Sequence, residues 1–129
     1  MKTLERIMLV DDDATTNLYN RIVLENAAAA EEIVEFQNGE EALQYLESGE
    51  NHVDLILLDI NMPIMDGWQF LEKYEELDET KKATIVVIML TSSMSEHDKA
   101  KAKNAGMINK FINKPLTPDT INEILAVFG

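Results

Sequence analysis

The sequence predicts an α/β domain whose five-stranded parallel sheet is covered by helices on both faces. Five short apolar runs alternate along the chain with segments whose apolar residues recur at helical spacing. Two runs, 55–58 and 85–90, are apolar at every position, which is typical of central strands buried on both faces. This alternation indicates βαβ units joined by right-handed crossovers. The 129 residues show no linker, repeat or low-complexity tract, so we expect a single domain over 1–129.

The first strand is predicted at 7–10, where an apolar run stops at three consecutive aspartates. Asp13, Thr15 and Thr16 offer side-chain oxygens that can cap a helix N-terminus, so a helix is expected to follow. The apolar face of this helix is predicted to contain Leu18, Ile22 and Val23, which recur at helical spacing.

The second strand, 33–36, alternates partly in polarity and is therefore expected nearer an edge of the sheet. An Asn-Gly turn signal precedes the second helix, 40–48, and a Ser-Gly pair ends that helix. The third strand is the apolar run 55–58, which stops at Asp59.

The second half of the chain adds three helices and two strands. Their predicted ranges, in order, are 70–77, 85–90, 95–105, 107–112 and 121–128. The helix at 95–105 has little apolar content beyond alanine, so we expect it to be exposed and weakly held. Pro115 ends the fifth strand, because proline cannot donate to a sheet ladder. The last helix carries apolar residues at i, i+3, i+4 and i+7 from Ile121.

Composition narrows the class of partner. The chain has 24 acidic and 11 basic residues and a formal charge of −13, which disfavours binding to nucleic acid or to anionic membranes. Cysteine is absent, which excludes disulfides and thiolate metal sites. No apolar run has the length of a membrane span or of a signal peptide, so we expect a cytoplasmic protein.

Polar residues follow four of the predicted strands. Asp11 and Asp12 follow the first strand, Asp59 the third, Thr91 the fourth and Lys114 the fifth. The carboxyl ends of parallel strands lie at one edge of the sheet, where α/β domains bind ligands. Clustered carboxylates repel one another unless a cation is bound, and oxygen ligands favour Mg²⁺. The set suits phosphoryl transfer, with Asp59 as the nucleophile that forms an acyl phosphate.

Each of these residues also has an ordinary structural explanation. Aspartates before a helix stabilise its N-terminus, and Asp59 by itself could cap a turn. A Thr-Ser-Ser run is common in loops, and a lysine before proline is unremarkable. The joint placement at four strand ends is what favours a functional site over these explanations.

Four motifs, in this order, resemble those of response regulator receiver domains of two-component signalling. They are Leu9-Val10-Asp11-Asp12-Asp13, Asp59-x-x-Met62-Pro63-x-x-Asp66-Gly67, Leu90-Thr91-Ser92 and Phe111-Ile112-Asn113-Lys114-Pro115. The similarity runs essentially from end to end, and the combined pattern is specific. It implies a flavodoxin-like, doubly wound sheet with strand order 2-1-3-4-5. It also implies a stand-alone, chemotaxis-regulator-like receiver that lacks an output domain.

The resemblance implies a role for each site residue. Asp59 would accept a phosphoryl group from a phosphohistidine on a sensor kinase or a phosphotransfer protein. Mg²⁺ would be ligated by Asp12, Asp59 and the backbone carbonyl of Asn61, with Asp11 acting through water or second-sphere contacts. Lys114 would contact Asp59 or the phosphoryl oxygens.

The resemblance also implies a switch. Thr91 would move towards the phosphoryl group and Phe111 would change rotamer with it. These movements would reshape a protein-binding face made by the predicted helix 95–105, the fifth strand and the last helix. Asn61 and Ser93 would tune dephosphorylation, and because both are small and polar we expect a short to intermediate phosphoryl lifetime. The implied protein is a phosphoprotein and a signalling phosphoacceptor, not an enzyme, and a monomer or weak dimer.

Other functions stay open at this point. The chain could be a relay intermediate that passes the phosphoryl group onward, or a receiver-like interaction module that is never phosphorylated. A flavin-binding protein of similar topology is disfavoured, because the aspartates after the first strand would repel the flavin phosphate. A hydrolase that uses an aspartyl phosphate usually has a carboxylate two residues after the nucleophile, where this chain has Asn61.

Overall fold

The computed structural model describes residues 3–60, 62, 64–90, 96, 100, 108–113 and 115–128; residues 89, 90, 108–111 and 113 are described by their backbone. The strands are β1 (Leu4–Val10), β2 (Ala30–Phe36), β3 (Leu55–Asp59), β4 (Ile85–Leu90) and β5 (Ile108–Asn113). The helices are α1 (Ala14–Asn26), α2 (Gly39–Ser48), α3 (Gly67–Glu75), a 3₁₀ turn (Glu79–Lys81) and a C-terminal helix (Pro118–Ala126). The predicted helix 95–105 lies outside the described residues except for positions 96 and 100, which are helical.

All five strands are parallel and follow the order β2-β1-β3-β4-β5, which confirms the fold class and the strand order implied by the resemblance. The central strands were predicted well because they are apolar at every position. β1 and β2 each begin three residues before the predicted range, at Leu4 and Ala30. The added residues pair with each other, as Leu4 does with Ala30. Backbone pairing extends these strands through charged residues that an apolar run cannot reveal.

The two faces of the sheet carry separate apolar layers. Alternate strand residues such as Leu9, Leu57 and Val87 pack with residues of α1 and of the C-terminal helix. Their sequence neighbours, such as Leu58 and Ile88, pack with residues of α2 and α3. This division follows from the period-two alternation of side chains along a strand. Both faces are therefore covered, as the sequence predicts.

The predicted apolar face of α1 is wrong for two of its three residues; the third, Val23, is half-buried and packs against the core. Leu18 and Ile22 are 53% and 47% exposed, whereas the buried residues of α1 are Asn17, Asn20 and Leu24. These three lie at i, i+3 and i+7, so the face itself has helical spacing. Hydrophobic periodicity does not reveal this face because two of its three members are polar. A buried asparagine is stable only when its amide is hydrogen-bonded.

The start of α3 lies directly against the end of β3. The N–H of Gly67 donates to the carbonyl of Ile60 at 2.9 Å. Asp66 caps the helix, with its carboxylate accepting from the N–H of Gln69 and the Gln69 side chain accepting from the N–H of Asp66. A Cβ at position 67 would lie 2.6 Å from Ile60 Cα and 3.1 Å from the carbonyl oxygen of Asp59. Glycine is therefore required for this close approach.

Replacement of Gly67 by alanine should destabilise the domain by about 2 kcal/mol, because the added methyl group meets backbone atoms that cannot move aside. Urea unfolding followed by circular dichroism measures the change. Gly39→Ala is the matched control, since its Cβ would meet the flexible side chain of Met65 at 2.8 Å. Equal losses for the two variants would contradict this account.

Burial of Tyr74 predicts that the free energy of unfolding falls at alkaline pH. Its ring is buried, its hydroxyl accepts from the N–H of Ala83 at 2.9 Å, and burial raises the pKa of Tyr74 to about 12. In the unfolded chain the Tyr74 hydroxyl loses its proton near pH 10, whereas in the folded protein it keeps the proton until about pH 12. Stability should therefore be complete below pH 10 and fall by about 2 kcal/mol as the pH rises to 12.

Tyr74→Phe removes the titrating group, so the fall between pH 10 and 12 should shrink. At neutral pH the variant should lose about 1 kcal/mol, because the N–H of Ala83 loses its partner. Urea midpoints measured at pH 7, 9 and 11 test both expectations. Tyr45→Phe, which alters a half-buried tyrosine of α2, should keep the alkaline fall. An unchanged loss of stability between pH 10 and 12 in Tyr74→Phe would show that Tyr74 does not cause it.

Candidate metal centre

Three carboxylates meet at the carboxyl edge of the sheet. Asp11 and Asp12 directly follow β1, and Asp59 is the last residue of β3, which pairs with β1. One oxygen of each carboxylate lies within 4.8 Å of the other two. Asp11 and Asp59 are each only 4% exposed, whereas Asp12 is exposed to solvent. The structure therefore brings together the three carboxylates that the sequence places at strand ends.

The three consecutive aspartates divide into two roles. The carboxylate of Asp13 accepts from the N–H of Thr15 at 2.9 Å and from the hydroxyl of Thr16 at 3.0 Å, so Asp13 caps α1. The N–H of Asp13 in turn donates to Oδ1 of Asp11 at 2.9 Å, which fixes one oxygen of that carboxylate. Asp12 contributes its carboxylate to the cluster. Local capping thus accounts for Asp13 and leaves Asp11 and Asp12 at the site.

Backbone hydrogen bonds hold Asp11 in place. Its N–H donates to the carbonyl of Phe36, at the end of β2, at 3.1 Å. The side-chain amide of Asn17 donates to the carbonyl of Asp11 at 3.0 Å and to that of Phe36 at 3.3 Å. Asn17 was not among the residues predicted for the site. The sequence holds one weak signal of it, because Asn17 lies one helical turn before a second asparagine, Asn20, on the face that proves to be buried.

The donor set fits a hard divalent cation. Two of the three carboxylates are buried, and placing negative charges close together in a partly desolvated site costs free energy unless a cation is bound. The set contains only oxygen ligands, and Mg²⁺ commonly takes one or two carboxylates while keeping waters or phosphate oxygens. The exposed Asp12 leaves one side of the cluster open to solvent and to a second molecule.

The other predicted site residues lie wholly or partly outside the described residues. Asn61, Thr91, Ser93 and Lys114 fall outside them, and Phe111 is described by its backbone, as a residue of β5 whose register partner is Ile88. The strands before Thr91 and Lys114 end at residues 90 and 113, which pair with each other. In the pairing of β3 with β4, Asp59 lies opposite residue 89. The strand ends therefore have the predicted arrangement, and the contacts of these side chains stay predictions.

None of the helices that the structure describes has both the length and the apolar character of a membrane span.

Comparison with known proteins identifies the family. A family model described as the response regulator receiver domain matches residues 7–126. The two-component response regulator ARR22 of Arabidopsis thaliana is 29% identical over 125 residues, which are 97% of this chain and 84% of that protein. Several other relatives are much longer, and the chain spans 28% or less of their length.

Solved structures agree with this result. A two-component response regulator from Cytophaga hutchinsonii superposes with a TM-score of 0.86 at 25% identity, covering 98% of this chain and 97% of that one. The receiver domain of the Pseudomonas aeruginosa sensor histidine kinase PA1611, described with a magnesium ion in its active-site cleft, has the same fold with a TM-score of 0.77 at 18% identity and 97% coverage of both chains. Because the family model covers nearly all of the sequence, the chain belongs to the response regulator receiver domain family.

Proposed function

We propose that this chain is a signalling switch that accepts a phosphoryl group on Asp59 from the phosphohistidine of a sensor kinase or a phosphotransfer protein. The observation that carries the proposal is the position of Asp59. It is buried at the end of the central strand β3, with one oxygen within 4.8 Å of the Asp11 and Asp12 carboxylates. Family membership supports this assignment, because receiver domains are signalling phosphoacceptors.

We further propose that Asp12, Asp59 and the backbone carbonyl of Asn61 hold Mg²⁺, with Asp11 acting through water. Asp12 is the exposed member of the cluster and Asp11 has one oxygen occupied by the N–H of Asp13, which supports this division. When bound, the ion would neutralise the carboxylates and the phosphoryl oxygens. The magnesium described in the PA1611 receiver domain is consistent with this proposal.

The proposed reaction is a direct transfer. A carboxylate oxygen of Asp59 attacks phosphorus, an O–P bond forms and the N–P bond of the phosphohistidine breaks. The bonding electrons return to the imidazole nitrogen, which takes up a proton. Lys114 would contact the phosphoryl oxygens, and Thr91 would donate its hydroxyl to one of them. Little covalent chemistry is required of the protein, so positioning and charge neutralisation carry the step.

Burial of Asp59 suits an acyl phosphate that must persist long enough to signal. A carboxylate that is 4% exposed meets few waters, so the phosphoryl group would be attacked chiefly from the open side of the cluster. Asn61 and Ser93 would border this approach in the family arrangement. Because both are small and polar, we propose a short to intermediate lifetime for the phosphorylated form.

The proposed output passes through the far half of the sheet. β4 carries the chain to Thr91, and β5, which pairs with β4, carries Phe111 and leads to Lys114. Changes at these residues would alter a face formed by the segment 95–105, β5 and the C-terminal helix, to which an unidentified downstream protein binds. We propose a single receiver domain over 1–129 that acts in the cytoplasm, as a monomer or weak dimer, with no separate catalytic activity.

The phosphoacceptor is tested by intact mass after incubation with Mg²⁺ and a small acyl phosphate donor such as acetyl phosphate. The protein should gain one phosphoryl group, which hydroxylamine removes. Asp59→Asn should gain none, because it lacks the nucleophilic carboxylate. Asp66→Asn is the matched control: it lies in the same connection after β3, asparagine can replace its cap, and the adduct should form. Failure of the wild-type protein to gain an adduct with any donor would favour the interaction module that is never phosphorylated.

The metal assignment separates two adjacent aspartates. Asp12→Asn should weaken Mg²⁺ binding by about tenfold or more, because it removes a charged member of the cluster. Asp13→Asn should leave the affinity within about threefold, since an asparagine can still cap α1. Isothermal titration calorimetry with MgCl₂ measures both. Equal affinities of Asp12→Asn and the wild-type protein would remove Asp12 from the ligand set.

A further inference from the structure

Asn17 is a buried polar residue that the phosphoacceptor chemistry does not use. It lies in the first turns of α1 and is 1% exposed. Its amide nitrogen donates to the carbonyl of Asp11 at 3.0 Å and to that of Phe36 at 3.3 Å. Among the described residues, no partner is found for its side-chain oxygen. An unpaired buried acceptor costs free energy. The two hydrogen bonds that the amide of Asn17 donates therefore offset this cost and stabilise the residue at its buried position.

The two carbonyls belong to the ends of neighbouring strands. Asp11 directly follows β1 and Phe36 ends β2, and the N–H of Asp11 already donates to the carbonyl of Phe36 at 3.1 Å. The Phe36 oxygen thus accepts two hydrogen bonds, one from Asp11 and one from Asn17. A single side chain of α1 consequently joins both strand ends at the point where Asp11 enters the acidic cluster.

These hydrogen bonds affect the position of the acidic cluster and the electrostatic potential at it. The carbonyl oxygen of Asp11 carries partial negative charge and belongs to the same residue as one of the three carboxylates. The N–H groups of Asn17 provide positive dipole ends at that carbonyl. The backbone of Asp11 is then held on both sides, by Phe36 at its N–H and by Asn17 at its carbonyl, while the N–H of Asp13 fixes carboxylate oxygen Oδ1.

We propose that Asn17 is a positioning residue for the metal centre: it holds the backbone of Asp11 so that the Asp11 carboxylate, acting through water, lies beside the proposed Mg²⁺ ligands Asp12 and Asp59. The inference rests on the proposed Mg²⁺ site and adds to it a residue that touches neither the ion nor the phosphoryl group. Mutation of a group that orients a metal ligand commonly lowers metal affinity by about ten- to a hundredfold.

A merely structural role for Asn17 is the competing explanation, and Asn20 offers a matched comparison. Asn20 is also an asparagine of α1 and is 3% exposed, but it lies one turn further along the helix, about 4.5 Å along the axis. A general loss of packing between α1 and the sheet should follow from truncation of either residue. A specific effect on the metal centre should follow from truncation of Asn17.

The test compares Asn17→Ala, Asn17→Leu and Asn20→Ala by Mg²⁺ titration calorimetry, with thermal unfolding recorded for each protein without the ion. Both Asn17 variants should bind Mg²⁺ about tenfold more weakly than the wild-type protein. Asn20→Ala should keep the wild-type affinity within about twofold, even if its melting temperature falls as much as those of the Asn17 variants. Equal affinities of the Asn17 variants and the wild-type protein would overturn the inference, as would an equal loss in Asn20→Ala.

Two further results separate this inference from the proposed function. A wild-type protein that does not bind Mg²⁺ would refute the metal centre itself, whatever the variants do. If the Asn17 variants do not fold, nuclear magnetic resonance of the wild-type protein decides instead. The side-chain amide protons of Asn17 should exchange slowly and shift on addition of MgCl₂, and those of Asn20 should shift less. Amide signals of Asn17 that ignore the ion would overturn the inference.

Discussion

The parallel pairing of β1 with β3 is the constraint on which the site depends. The register aligns Val10 with Leu58, so the residues that follow each of them, Asp11 and Asp59, leave the sheet side by side. Neighbouring strands are about 4.8 Å apart, which brings the carboxylates together whether or not a cation is present. Their repulsion opposes folding, and the two apolar layers that cover the sheet must outweigh it. The same repulsion makes the edge a favourable place for a divalent cation, whose charge would in turn offset that of a phosphoryl group.

Two arginines form ion pairs with glutamates outside the acidic cluster. Arg6 pairs with Glu32 and donates to the carbonyl of His52, and Arg21 pairs with Glu35. Both arginines thus support the edge strand β2, which carries these glutamates. At Asp11 the described contacts come from neutral donors: its carboxylate accepts from the N–H of Asp13, and its carbonyl accepts from the amide of Asn17. These two contacts position Asp11 without adding charge.

In helix α1, hydrophobic periodicity does not predict the buried face. Apolar spacing predicts that Leu18 and Ile22 face the sheet, but the protein exposes both and buries Asn17 and Asn20. Hydrophobic periodicity registers only the transfer of apolar surface out of water, and a buried amide contributes through specific partners. For Asn17 those partners are carbonyls at two strand ends, one of them 19 residues further along the chain. Their availability depends on how β1 and β2 pair.

The sequence by itself determined the strands, the alternation with helices, the family motifs and the acidic residues of the candidate site, because burial on both faces and strand-end chemistry leave local patterns. Only the tertiary structure decided which of Asp13, Thr15 and Thr16 caps α1, and how closely Asp11 and Asp12 approach Asp59. It also decided that an asparagine holds Asp11, and that Gly67 is needed where α3 meets β3. The approach of Asp11 to Asp59 is set by the register of β1 and β3. The contacts of Asn17 and Gly67 are set by how α1 and α3 pack against the strand ends. Neither strand register nor helix packing is recorded in a local sequence pattern.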